Sequence, residues 1–558
     1  MKHFWLITLL ILLTVSCAPS RVITESNEIV DAEESQTEVS EERFVINEPT
    51  KGWHLQGNPA DQLARAFEVG ISLDSAYLAL ESSGRVPKKT IVAIIDSGSD
   101  IDHEDLQARI WSNKNEIVGN GIDDDANGYI DDQYGWNFIG GSDSTHVNFD
   151  TYEITRLYRK GLEEFSGLDS TDLLSEEVQD SYANFKQLEE SFLQERSDLE
   201  SELLQIKQIQ LNISSVLSLI GANSLDSVDV NSYFEQEDLS MAMQEALGFI
   251  ALLQDNGITE TLIDEYLEQL NTQLNYGYNI EFNPRSIVGD NYEDWENRWY
   301  GNEDVKGPDH DHGTHVAGIV GADRDNSIGI HGIADVELMI IRAVPNGDEH
   351  DKDVANAIRY AVDNGAKVIN MSFGKAYSPQ KFLVDEAIMY AQERDVIMIH
   401  AAGNDGKNVD VEPNYPNPNI SADETSSHFV TVGASGWSGA DGLAAAFSNY
   451  GLSSVDIFAP GVDIYSTMPN QTYELSNGTS MAAPVVTGVF ALLMNYFPEL
   501  SPLEIRDVIM KSVNKLDTMV PIPGQNESIQ EVPFSSLSKS GGIINAHKAV
   551  LEALNRTK

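Results

Sequence analysis

Residues 88–96 read KKTIVAIID, a continuous apolar run that ends on the carboxylate of Asp96. Apolar residues without alternation are the mark of a strand buried on both faces, and such strands belong to parallel sheets covered by helices. Further runs of the same character lie at 336–344 (VELMIIRAV), 366–373 (AKVINMSF) and 396–402 (VIMIHAA). Between them, 353–364 and 383–393 carry helical patterns. Strand and helix in alternation predict an α/β fold, a mostly parallel sheet with helices on both faces. Sites in such sheets collect at the carboxyl ends of strands, which is where Asp96 and Asn404 fall.

The alternation breaks between about 152 and 279. Phe185, Leu188, Phe192, Leu199, Leu203, Ile206, Ile213 and Leu217 recur mostly at three- and four-residue steps, the spacing of one helical face. The expectation is an inserted α-helical subdomain at 146–282, dividing a larger domain into 51–145 and 283–558. Both flanks of the insertion lead toward chemically distinctive residues. It should therefore emerge beside the reactive face, as a lid, an exosite, an anchor for a partner or plain packed embellishment.

The 558 residues are 41% hydrophobic, enough for a large core. The 35 Lys and Arg against 89 Asp and Glu give a net charge of −54. A surface that acidic repels phosphate backbones and anionic headgroups, so nucleic acid is excluded as a natural partner. Cys17 is the only cysteine, which rules out an intramolecular disulfide and a thiolate zinc cluster. A basic start followed by the apolar run 4–15 (FWLITLLILLTV) is too short to span a bilayer comfortably and has signal-peptide proportions. With Ser16 before Cys17, the segment resembles a bacterial lipoprotein signal. That resemblance implies a leader over 1–17, lipidation of Cys17, and an exported chain held at the cell envelope by an N-terminal lipid anchor. Residues 18–50 are polar and acidic and read as a tether.

Three segments carry chemistry: IVAIIDSGSD around Asp96, HGTHVAG from His312 and NGTSMAAP around Ser480. Taken singly, each has a plain structural reading: a turn carboxylate, a satisfied core histidine, a serine N-cap. Together they offer a hydroxyl nucleophile, an imidazole base near neutral pH and a carboxylate to fix the imidazole tautomer. The three full motifs, in the order Asp, His, Ser, resemble the subtilisin-like serine peptidases. The resemblance implies a subtilisin-like sheet and hydrolysis of protein or peptide substrates through an acyl-enzyme, with no cofactor for the chemistry. It makes Asp96, His312 and Ser480 the triad.

HAAGNDG at 400–406 matches the family block whose asparagine completes the oxyanion hole, which assigns Asn404. NMSFG at 370–374 resembles the family strand that pairs with extended substrate. Ser372, Phe373 and Gly374 would then wall the substrate pocket together with Ala401, Ala402 and Gly403. Two features depart from the family pattern: Asp96 and His312 lie 216 positions apart, and no folded prodomain pattern precedes the catalytic domain. A catalytically silent scaffold that binds a partner through the helical insertion is the competing reading.

A last constellation lies in NGIDDDANGYIDD. Asp123, Asp125, Asn127, Tyr129 and Asp131 alternate oxygen-bearing positions around Gly128, as a hard cation such as calcium requires. Position twelve of an EF-hand loop would be Tyr134 rather than glutamate, so a true EF-hand is not expected. An acidic surface loop is the alternative.

Overall fold

The apolar run becomes strand β1, Ile91–Asp96, set between β3 (Glu337–Arg342) and β4 (Val368–Met371), all parallel. This is seen in a computed structural model that describes residues 51–57, 70–166, 175–234, 239–523 and 528–558. The leader, Cys17 and the tether lie outside the described residues. On one side of β1 the sheet continues through β3 to β2 (Gly135–Asn137). On the other it runs through β4 to β5 (Ile397–Ala401), β6 (Phe429–Ser435) and β7 (Ile457–Pro460), again parallel. Two hairpins, β8–β9 (Ile464–Met468, Thr472–Ser476) and β11–β12 (Met519–Pro523, Ile529–Pro533), stand apart from it. Short β13 (Gly542–Ile543) and β10 (Asn514–Lys515) complete a nine-stranded sheet, with the β10–β13 pair antiparallel.

Alternate residues of β1 feed two cores. Val92 and Ile94 pack with Val316, Val320, Val485 and Val489, from helices Asp311–Gly321 and Thr479–Tyr496. Ala93 and Ile95 pack with Ile358 and Ile388, from helices Asp351–Asp363 and Lys381–Gln392 on the opposite face. Both faces are dry, which explains the unbroken apolar run; each fully buried Val or Ile contributes about 1.5–3 kcal/mol. The fold is therefore the mostly parallel, doubly covered α/β sheet that the sequence predicts.

Within the segment expected as an insertion, the apolar stripe lies on one 45-residue helix, Glu176–Ile220. The stripe serves two different cores. Phe185 and Phe192 pack with Tyr158 and Phe165 of helix Glu153–Phe165, the Tyr158 and Phe192 rings 4.4 Å apart. Those residues belong to the unit that contains the sheet. Residues Leu193–Asn275 form a separate compact unit. There Ile206, Ile213 and Leu217 meet Leu247, Ile250 and Leu270 from helices Met241–Asp255 and Glu260–Thr272. Ser240 and Thr259 cap those two helices by accepting the N–H groups of Met243 and Leu262.

Candidate active site

Asp96 is the last residue of β1, and His312 is the second residue of helix Asp311–Gly321. Asp96 Oδ1 lies 2.7 Å from His312 Nδ1 and also accepts the Ser97 N–H at 2.8 Å. An ionised carboxylate can only accept, so the Nδ1 proton is on the ring and donates. Gly313 makes the approach possible: a Cβ there would sit 2.0 Å from the carbonyl oxygen of Gly98. The Asp96 side chain is 2% exposed and that of His312 is 42% exposed, so the carboxylate is buried and the ring keeps an open edge. Burial works against a charged imidazole, yet the charge and hydrogen bond of Asp96, with Asp309 behind them, hold His312 above its ordinary value of 6.5.

Ser480 stands at the second position of helix Thr479–Tyr496, where the helix dipole and free N–H groups favour negative charge. Its hydroxyl donates to the Ser372 carbonyl at 2.9 Å, and the Ser372 hydroxyl donates back to the Ser480 carbonyl at 2.9 Å. Asn370 Nδ2 donates to Ser372 Oγ at 2.9 Å, and Thr487 Oγ1 donates to Asn370 Oδ1 at 2.8 Å. This buried chain fixes the start of the helix to the end of β4. No hydrogen bond joins Ser480 to His312 among the described residues; the serine hydroxyl is turned to Ser372.

Asn404 lies in the exposed loop after β5. Its Oδ1 accepts the N–H of Thr479 at 2.8 Å and the Thr479 hydroxyl at 3.0 Å. Thr479 Oγ1 in turn accepts the N–H of Gly403 at 3.1 Å. With Oδ1 committed inward, the Nδ2 group is left to donate elsewhere. Thr479 is fully buried; the serine motif includes it without indicating its task.

The six residues expected to wall a substrate pocket divide. Ser372, Ala401 and Ala402 are buried, while Phe373 and Gly403 are half-buried and Gly374 is exposed. Asn414, which the sequence reading did not single out, donates to the carbonyls of Ala401 and Ala402 at 3.4 and 3.1 Å. A cavity of about 470 Å³ opens beside Ala402 and is also lined by His400, Asn414 and Pro416; none of the other five predicted wall residues lines it. Burial lowers His400 to about 4, so its ring is neutral. His315, one turn beyond His312, is a structural residue: its Nε2 lies 3.0 Å from the Ile464 carbonyl, and burial lowers it to about 4.

In the acidic loop, Asp123 and Asp125 come together with Glu116, which lies outside the alternating oxygen pattern of the linear motif. Asn127 Oδ1 accepts the N–H of Tyr129, and the Tyr129 ring is buried among Trp136, Phe138 and Tyr360. Asp131 turns away and accepts the N–H groups of Asn120 and Gly121.

Residues 87–529 match the family described as the subtilase family. The chain is similar to a thermophilic serine proteinase of Bacillus sp. (strain AK1), 39% identical over 208 residues that cover 37% of this chain and 47% of the relative. Thermitase of Thermoactinomyces vulgaris is 39% identical over 184 residues, 33% of this chain and 60% of the relative. A cell wall-associated protease of Bacillus subtilis (strain 168) is 32% identical over 256 residues, 44% of this chain and 27% of the relative. The chain thus spans less than two thirds of each of these relatives: 47% of the thermophilic serine proteinase, 60% of thermitase and 27% of the cell wall-associated protease.

Proposed function

The chain belongs to the subtilase family, and we propose that it is a serine endopeptidase with Ser480 as nucleophile, His312 as general base and Asp96 as the carboxylate that orients the base. The observation that carries the reading is the 2.7 Å bond between Asp96 and His312 Nδ1, which leaves Nε2 to accept a proton. In the first step Ser480 Oγ turns from the Ser372 carbonyl, passes its proton to His312 Nε2 and attacks the peptide carbonyl. The carbonyl oxygen becomes an oxyanion, held by Asn404 Nδ2 and the Ser480 N–H at the helix start. His312 then returns the proton to the leaving amine, and water releases the acyl group by the same route reversed. The exposed backbone at Gly374, at the end of the β4 segment, suits pairing with an extended substrate chain.

The resting position of the Ser480 hydroxyl, on Ser372 rather than His312, is the observation that fits a silent scaffold instead. Casein hydrolysis by the parent chain, Ser480→Ala and His312→Ala separates the two readings. The peptidase reading requires cleavage by the parent and its loss in both variants. A folded parent without activity supports the scaffold.

Export and anchoring through Cys17 belong to the same proposal, supported by the Ser16-Cys17 signal pattern and by similarity to a relative named for its cell-wall association. Cells fed an alkyne-tagged fatty acid should label the parent and not Cys17→Ser. Equal labelling of both would remove the anchor.

A further inference from the structure

We propose, resting on the peptidase reading above, that helix Glu153–Phe165 closes the substrate cleft just beyond Gly374, so that a bound chain keeps only about three residues before the scissile bond in extended pairing. Gly374 is exposed and makes no backbone hydrogen bond among the described residues, so its edge is open. The open edge stops there. Lys375 spends its N–H and its carbonyl on Tyr415, at 3.0 and 2.9 Å, and the chain bends at Ala376. Tyr377 then packs against the cluster of Ile154, Tyr158 and Phe165 on the helix. Antiparallel pairing is the more stable sense and sets residues opposite one another one to one. Ser372 stands level with the scissile carbonyl, because its own carbonyl holds the Ser480 hydroxyl. Counting outward from Ser372, Gly374 meets the third residue before that bond, and the N-terminal end of the substrate runs toward Lys375.

The Lys375 side chain bars the way for a fourth residue. An ammonium has three donors, and all three are used: on Glu153 Oε2 at 2.8 Å, the Glu349 carbonyl at 2.7 Å and Asp351 Oδ1 at 2.9 Å. Glu349 and Asp351 lie in the stretch that follows β3, so this one side chain joins that stretch to the end of the β4 segment. Arg156, one helical turn beyond Glu153, tightens the junction. It pairs with Glu153 at 2.6 Å and donates to the carbonyls of Asp348 and Glu349 at 3.0 and 3.2 Å. The Glu153 N–H donates to Asp348 Oδ2 at 2.8 Å. Residues 148–150, which lead into the helix, back the same stretch: Asn346 donates its N–H to the Asn148 carbonyl at 2.8 Å and accepts the Asp150 N–H at 3.0 Å. Glu153, Glu349, Asp351 and Lys375 are all buried. Separating buried, hydrogen-bonded charges is strongly unfavourable, so the junction stays shut while substrate binds. A longer chain has to turn outward after the third residue. The substrates that fit are chain ends and segments that bend there, rather than long extended strands.

The test uses the full chain and acetylated peptides built on a cleavage site mapped in casein, with one to six residues before a fluorogenic amide. The proposal expects kcat/KM to climb up to the third residue and then to change by less than about twofold. A fourth residue that paired would add a hydrogen-bonded contact, about tenfold. A gain of that size at the fourth or fifth residue overturns the closure. Failure of the peptidase reading looks different: no peptide of any length is cleaved, casein stays intact, and the closure falls with that reading. A second arm removes the tie with Glu153→Ala and Lys375→Ala together. In that variant, shown to be folded by far-UV circular dichroism, a fourth residue should raise kcat/KM at least about threefold. The parent's length profile in the folded variant overturns the role of the tie, and if the variant does not fold, the series on the parent decides.

Discussion

The sheet unit and the helical unit at Leu193–Asn275 are held by different kinds of contact. In the first, what matters is where single atoms lie: Asp96 on His312, Thr479 on Asn404, and the reciprocal Ser372–Ser480 pair. In the second, apolar side chains fill a seam between three helices, and Ile250, Leu253 and Leu270 contribute volume rather than direction. One region therefore fails when a hydrogen bond is lost at constant size, and the other when a methylene is lost at constant chemistry.

The largest expected effect breaks the directional side. Asp96→Asn keeps the size of the side chain and changes the tautomer it supports, so kcat should fall by on the order of 10⁴. The same variant reports on pH. Only neutral His312 can accept the serine proton, so kcat/KM should fall as pH drops through the raised value of the ring, above 6.5. Without the Asp96 charge that limb should move to lower pH. A limb that stays in place would show that another group controls it.

Next in size is Asn404→Ala, which removes the proposed donor to the oxyanion. A loss of about 10²–10³ in kcat with little change in KM is expected from steady-state kinetics. A rise in KM alone would assign Asn404 to substrate binding. On the other side of the comparison, Leu270→Ala should destabilise the helical unit by about 2–5 kcal/mol in denaturant melts. The kcat of the sheet unit should stay within about twofold if volume and direction are separable here. Parallel losses in both would dissolve the distinction.

The smallest effect concerns buried charge, of which the sheet unit has much. Burial, with Asp348 nearby, pushes the Glu349 carboxyl up to about 8, although Lys375 pulls it down. A folded value above the ordinary 4.5 means that the native chain binds the extra proton between those limits. The contribution of Glu349 to stability is therefore present below that window and is lost as pH rises through about 8. Glu349→Gln should melt roughly 2–4 °C above the parent at pH 8 and converge with it near pH 5. A variant less stable at pH 8 would mean that the charged form is the one the fold supports.

Strands β1, β3, β4 and β5 were legible because both faces are buried and leave unbroken apolar runs. The stripe along Glu176–Ile220 was equally legible as helix, yet periodicity does not register that its neighbours change from Tyr158 and Phe165 to Leu247 and Leu270. The Asp96–His312 contact could be expected because motif residues carry it. The Ser372–Ser480 exchange could not, since a backbone carbonyl accepts equally from any residue type. Ala401 and Ala402 are both buried, yet a cavity of about 470 Å³ opens beside Ala402 alone, a difference that two adjacent alanines in a sequence do not register. Glu116 precedes Asp123 by seven positions with no pattern to link them, and only the fold turns its carboxylate toward the loop.

The most direct measurement of the central claim is labelling of the folded chain with a fluorophosphonate, followed by mass mapping of the adduct. A serine poised by His312 and Asp96 should take one adduct per chain, on Ser480, and His312→Ala should abolish it. A folded protein that takes no label, or takes it on another residue, would contradict the assignment of Ser480 as nucleophile.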